Sequence, residues 1–285
     1  MGVSGFVIID KPCGITSQGV VSRVRRALGM RRVGHGGTLD PIATGVLPVF
    51  AGRATRASSM LLSADKAYIA GFRCGIETDT CDTTGNILRT TGLDASPCEV
   101  AALLPQFLGE REQTPPMYSA VKVGGRKLYE LAREGREVER ASRVITISAI
   151  EYLGQFNGEH RFSVDCSKGT YIRELVREIG EALGCGAAMS SLRRTRTGSF
   201  LLDEAVPLDE FCAAPSLRPV DELFCDRPSL TVSPELEARI RNGAAPRTDA
   251  QPGEYRVYSD GGEFLALCRV TAGELQTVRS FFEVD

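Results

Sequence analysis

One segment constrains this chain more than any other: Gly34-His35-Gly36-Gly37-Thr38-Leu39-Asp40-Pro41-Ile42-Ala43-Thr44-Gly45-Val46-Leu47-Pro48-Val49. Its clustered glycines permit tight turns and close backbone approach. Pro41 fixes its own φ and keeps Asp40 out of helical conformation. The segment therefore reads as a stiff irregular loop. Asp40 is the only acid between residues 11 and 56, where eight Lys and Arg leave a net charge of +7. A carboxylate fixed on such a loop can act as a nucleophile, a general base or a cation ligand. An Asp-Pro pair is also a common Asx-type turn. Neither phosphate-loop pattern, G-x-x-x-x-G-K-[ST] or G-x-G-x-x-G, is present.

The 285 residues suggest about two domains, enough to bury a core without disulfides or metals. The 34 basic and 36 acidic residues give a net charge of −2, which argues against a polycationic nucleic-acid binder. That sum hides local differences. Residues 111–143 carry eight basic residues against five Glu, or +3, and residues 201–238 carry two against nine acids, or −7. The nine Cys are scattered with no C-x-x-C, and with only two His no zinc-binding spacing exists. Neither a metal nor a cofactor is expected. The cysteines read as small, buried, reduced thiols of a cytoplasmic protein. No run of 18 apolar residues occurs, so no membrane helix is expected. The apolar stretch Gly5–Ile9, ended by Asp10-Lys11-Pro12, is too short for a signal peptide.

Periodicity gives a mixed chain. Gly5–Ile9 reads as a buried strand. Thr16 or Ser17 caps a helix that turns Val20, Val21, Val24 and Leu28 inward and stops at Gly29. Ser96-Pro97-Cys98-Glu99 starts a helix that runs through Val100, Leu103, Leu104 and Phe107 to Gly109. Phe162, Val164 and Cys166 alternate as a strand, and Thr170–Leu183 follows as a helix. Pro219, Pro228 and clustered acids predict a boundary near 220–232. Beyond it, Ser233-Pro234 opens a short helix, Asp260-Gly261-Gly262 turns a hairpin, and Val278–Val284 reads as a strand.

Several motifs in consistent order resemble the bacterial TruB-type tRNA pseudouridine synthases. The Gly34–Val49 segment is similar to their signature, G-x-x-G-x-L-D-P-x-A-x-G-x-L-P. Asp10-Lys11-Pro12-x-Gly14-x-x-Ser17 resembles the first motif, and Asp65-Lys66-x-Tyr68 the aromatic motif. Met117-Tyr118-Ser119-Ala120-x-Lys122 and Gly125–Tyr129 resemble an RNA-gripping insertion. Cys166–Arg173 resembles the arginine motif and Leu192-Arg193-Arg194 the late leucine motif. Each motif alone is weak, but the ordered set from about residue 5 to 200 is specific.

The resemblance implies an α+β fold: a mixed, mostly antiparallel sheet with flanking helices. A catalytic domain would span 1–222, with the gripping insertion at 111–143. A small β-rich RNA-binding module of the PUA type would span 223–285. The resemblance makes Asp40 the catalytic nucleophile and Arg173 its catalytic partner. It gives Tyr68 stacking on a flipped uracil, His35 bracing the RNA, and Tyr171 and Leu192 lining the substrate nucleotide. Lys11, with Pro12, matches a motif that supports the active-site loop and is grouped with the substrate-binding set. The implied reaction converts uridine 55 in the T arm of tRNA to pseudouridine by a stand-alone monomer. No guide RNA and no membrane take part.

Uridine isomerisation breaks the glycosidic bond, turns the base and joins C5 to C1′, which needs no redox centre. A carboxylate attacking C6 and one assisting departure at C1′ both fit. A uridine inside a folded RNA loop must be extruded, and a stacking aromatic offsets the lost stacking. Taken singly, each residue has a plainer reading. His35 could be a structural His, Tyr68 and Tyr171 packing residues, Leu192 core, and Arg173 a helical partner of Glu178. Arg193, Arg194 and Arg196 could form a solvated face. Rival functions are a guide-directed synthase, a non-catalytic RNA chaperone on the same fold, and an Asp-dependent hydrolase. The last lacks a second acid or a His partner in a recognisable motif.

Overall fold

The structure is a computed structural model that describes residues 4–282. A ten-stranded sheet forms the body. Along its main path the strands run Val206–Pro207, Gly5–Lys11, Thr44–Ala51, Ala187–Thr197, Lys66–Cys74, Glu159–Cys166, Arg143–Phe156 and Gly109–Gln113. Two contacts are parallel, Gly5–Lys11 with Val206–Pro207 and Thr44–Ala51 with Ala187–Thr197; the rest of the path is antiparallel. The expected α+β class and mostly antiparallel sheet are therefore present.

The strand Gly5–Lys11 is apolar on both faces because it separates two cores. Val7 and Ile9 pack with Val20, Val21 and Val24 of the helix Ser17–Leu28. Phe6 and Ile8 point the other way, onto Phe50, Phe200, Phe224 and Phe281. The helix Ser17–Leu28 has Thr16 as its N-cap and a left-handed Gly29 at its end, as its sequence predicts. The helix Ile172–Ala182 buries Leu175, Val176 and Ile179 against the same core as Val7.

The segment after Ser96 differs from expectation. The capping box of Ser96 and Glu99 forms, but the α-helix covers only Pro97–Leu103. A 3-10 turn, Leu104–Phe107, follows, because Pro105 cannot donate the next helical hydrogen bond. The terminal module is a four-stranded sheet ordered Ser229–Val232, Gly253–Ser259, Phe264–Thr271 and Glu274–Ser280. Its last strand starts and stops four residues before the expected Val278–Val284. Phe281 and Phe282 instead turn into the interior, and Glu283–Asp285 lie outside the described residues. The expected boundary at 222/223 falls inside one 3-10 turn, Val220–Phe224. Val220 and Phe224 join Leu267 and Phe281 to the core of the large sheet, so the terminal sheet shares a core with the body. No described helix is long and apolar enough to cross a membrane.

The cysteines are less uniform than expected. All nine are free thiols, but Cys13, Cys98 and Cys225 are exposed and only Cys81, Cys166, Cys185 and Cys268 are buried.

Candidate active site

Asp40 sits on the loop between the strands Val33–His35 and Thr44–Ala51, over the centre of the large sheet. Buried polar side chains hold this loop from below. The Ser17 hydroxyl accepts from the Leu39 amide at 2.8 Å and contacts the Leu39 carbonyl at 3.0 Å. The Lys11 ammonium donates to the carbonyls of Ala43 (2.6 Å), Pro12 (3.0 Å) and Pro41 (3.3 Å). The Arg194 guanidinium donates to Val46 (2.7 Å), Gly37 (3.3 Å) and Thr38 (3.4 Å). Gly45 is required here: its φ is +99°, and a Cβ would lie 2.2 Å from the Arg194 carbonyl oxygen.

Lys11 is fully buried, and its charge is spent on loop carbonyls. That geometry matches loop support rather than substrate contact. Burial pushes the Lys11 ammonium down to about 8, while Asp40 opposes the shift. Lys66, whose ammonium donates to the Ala64 and Leu62 carbonyls, is also lowered to about 8 by burial, then by the Arg194 charge.

Asp40 meets Arg173 directly, with Oδ2 2.9 Å from Nε. Arg173 is buried at the first turn of the helix Ile172–Ala182. Its other nitrogens donate to the Thr80 and Tyr118 carbonyls, each at 2.9 Å. The helix-partner alternative does not form: Glu178 pairs with Arg111 and Glu174 with Arg177.

Tyr68 lies on the central strand Lys66–Cys74, opposite Arg194 in register and nearly buried. Burial raises its phenol, while the nearby Arg194 charge opposes that shift. Leu192 packs in the same core as Tyr68. His35 is half-buried; burial first, then Arg194, lowers its imidazole, and Nδ1 accepts from the Gly37 amide at 3.4 Å. Tyr171 precedes the helix Ile172–Ala182, with its backbone clamped by Gln113 and its ring 4.8 Å from the Arg143 guanidinium. Asp40, Arg173 and Tyr68 thus share one centre, with Leu192 in the core below. His35 is tied to Gly37, and Tyr171 adjoins through Arg173.

Two contributors were not read from the sequence. Asp82 is buried, with Oδ2 3.8 Å from Arg173 Nε. Its Oδ1 accepts from Thr80 Oγ1 (2.9 Å), Thr84 Oγ1 (2.5 Å) and the Thr84 amide (2.9 Å). The run Thr80-x-Asp82-x-Thr84 after a strand was the available signal, since Thr hydroxyls at that spacing suit a buried Asx turn. Arg194 is the other. It was grouped with a solvated run, yet it is 1% exposed, while its neighbours Arg193 and Arg196 pair with Asp10 and Asp165.

The early basic segment is also less free than its +7 sum suggests. Arg23 pairs with Asp209, Arg53 with Glu263, and Arg56 donates to Ser280. Asp209 of the acidic late region and Glu263 beyond it therefore neutralise part of the early positive charge. The side chains of Arg26 and Arg31 have no hydrogen-bond or ion-pair partner among the described residues.

Comparison with known proteins places this mixed sheet and its site in the pseudouridine synthase class. Residues 25–172 match the N-terminal domain model of the TruB family of pseudouridylate synthases. Residues 173–223 match the tRNA pseudouridylate synthase B C-terminal domain. The chain belongs to the TruB family, and it is an isomerase.

Among its relatives is a tRNA pseudouridine synthase B from Aromatoleum aromaticum, 45% identical over 274 residues, covering 93% of this chain and 88% of that one. Another, from Alkaliphilus oremlandii, is 51% identical over 211 residues, covering 74% and 71%. A solved H/ACA RNP bound to a substrate RNA containing 2′-deoxyuridine matches with TM-score 0.72 and 25% identity, covering 99% of this chain and 86% of that one.

Proposed function

We propose that this tRNA pseudouridine synthase converts uridine 55 in the T arm to pseudouridine, with Asp40 as nucleophile and without guide RNA or partner protein. The observation that carries the reading is the Asp40–Arg173 pair at 2.9 Å, with Asp40 on the loop that resembles the family's signature. Arg173 orients the carboxylate and holds it on the substrate side of the sheet. Attack at C6 and assistance at C1′ both start from that carboxylate. Extrusion of the uridine presents its base to Tyr68, whose ring offsets the stacking lost in the T loop. Buried Lys11, Lys66 and Arg194 make the surroundings electropositive, which favours an RNA backbone nearby. The terminal four-stranded sheet, fixed to the body through a shared core, adds a second RNA-binding face.

The relatives at 45% and 51% identity are named tRNA pseudouridine synthase B, whereas the H/ACA match is at 25%, and this favours the guide-independent reading. Purified protein incubated with an unmodified T stem-loop transcript, with no guide RNA and no added metal, is expected to form pseudouridine at position 55 alone. Modification at another position, or none until a guide RNA is supplied, overturns this assignment.

A further inference from the structure

The second histidine of the chain lies away from Asp40, in a cluster that the reaction does not use. Cys74 ends the strand Lys66–Cys74, Asp94 precedes the helix Pro97–Leu103, and His160 lies on the strand Glu159–Cys166. One donor atom from each lies within 4.8 Å of the other two. His160 Nε2 is 3.5 Å from Asp94 Oδ1. The Cys185 thiol adjoins Cys74.

His160 is fully buried, and its ring stacks on Phe72 with centroids 5.2 Å apart. Nδ1 is 2.8 Å from the Tyr152 hydroxyl, and Nε2 is 3.2 Å from the Gln155 amide nitrogen. The same Nε2 edge therefore meets both the Gln155 amide and the Asp94 carboxylate. A cation between Nε2 and Asp94 Oδ1 would replace the amide contact and join the imidazole to the carboxylate.

We propose that Cys74, Asp94 and His160 form a binding site for a thiophilic divalent cation of the zinc type, with Cys185 as the nearest further donor. Thiolate, imidazole and carboxylate are the donor set zinc prefers. A hydroxyl behind the second ring nitrogen is the outer-shell support a metal-bound histidine uses. The sequence hides the site because its donors are spread over residues 74 to 185 and meet only in the folded sheet. Cys74 and Asp94 also bracket residues 75–93, the excursion that brings Thr80 and Asp82 to Arg173. A bound cation clips both ends of that excursion to the sheet through His160.

The test uses chelator-treated full-length protein titrated with Zn²⁺ alone and, for spectroscopy, with Co²⁺ alone. One equivalent of Zn²⁺ is expected to bind, and Co²⁺ to give a thiolate-to-metal charge-transfer band with tetrahedral ligand-field bands. Cys74→Ser should abolish the charge-transfer band and weaken Zn²⁺ binding by about tenfold or more. Asp94→Asn, at an exposed position, should weaken it likewise. Cys225→Ser, an exposed thiol outside the cluster, should change neither reading. Absence of stoichiometric binding to the wild-type protein overturns the proposal. So does unchanged affinity in both Cys74→Ser and Asp94→Asn, or loss of the band in Cys225→Ser.

Discussion

The Asp40 loop and the insertion at 111–143 come from one chain and, under the proposed function, serve one RNA, yet they are built in opposite ways. The loop has little regular structure but rests on Ser17, Lys11 and Arg194, all 2% exposed or less. The insertion has two two-residue strands and the short helix Leu128–Arg133. Its contacts are largely solvent-facing ion pairs, such as Arg126–Glu134 and Arg140–Glu137, which contribute little stability. Its buried side chains are few, Leu128, Leu131 and Ser119 beyond the Gln113–Pro116 edge that adjoins the sheet. Chemistry requires a carboxylate fixed before substrate arrives, and buried polar bonds fix it. Gripping an RNA arm requires a segment that opens cheaply, and sparse burial provides that. Arg173 links the two regions, with Nε beside Asp40 and a second nitrogen donating to the Tyr118 carbonyl.

The largest effects should fall on the fixed region. Asp40→Ala should lower single-turnover pseudouridine formation by at least about 10³-fold while leaving tRNA affinity within a few fold. Turnover near the wild-type rate would remove Asp40 from the chemistry. Arg194→Met strands buried carbonyls of Gly37, Thr38 and Val46 and should destabilise the protein by about 3 kcal/mol in urea titration. A loss within error of zero would show that the loop holds itself. Tyr68→Leu keeps bulk but loses the ring. It should slow the chemical step by about tenfold or more, with binding less affected, because stacking matters once the base has left the helix. Equal losses of rate and affinity would make Tyr68 a docking residue. In the adaptable region, Leu128→Ala should weaken tRNA binding severalfold with global unfolding unchanged, because the insertion opens separately from the sheet. A fall in global stability of the size usual for a core Leu, about 2–5 kcal/mol, would make it part of the cooperative core.

The same contrast explains what could be read before the fold was seen. Helix ends were legible where local chemistry sets them, as at Thr16, Gly29 and Ser96. The strand Gly5–Lys11 was legible over Gly5–Ile9, where it is apolar throughout. Asp40 stood out because glycines, a proline and a lone negative charge coincide. Pro105 was present in the sequence, but the apolar spacing through Phe107 masked its effect. Asp82 and Arg194 were missed because their importance comes from burial, which arises when distant segments meet. An arginine in a run of three reads as solvated until the parallel pairing of Arg194 with Gly45 carries its side chain under the loop. Position along the sequence does not encode that contact; the pairing of Thr44–Ala51 with Ala187–Thr197 creates it.

The smallest expected effect tests whether the loop's support is electrostatically costly. Folding lowers the Lys11 ammonium from 10.5 to about 8, chiefly through burial. Between those two values the unfolded chain binds more protons at this site than the folded protein. Stability contributed by this group therefore rises with pH across that window and is lowest below about 8, where the folded protein carries the charge buried. Lys11→Met removes the titration. The difference in unfolding free energy, wild type minus Lys11→Met, should increase as pH is raised from 7.5 to 10 in urea titrations. The sign separates two pictures of the loop. A rising difference means that the ammonium is held among carbonyls against its desolvation cost, for position rather than for stability. A flat or falling difference means that the Ala43, Pro12 and Pro41 carbonyls and Asp40 fully compensate the buried charge, and the support would then be stabilising in its own right.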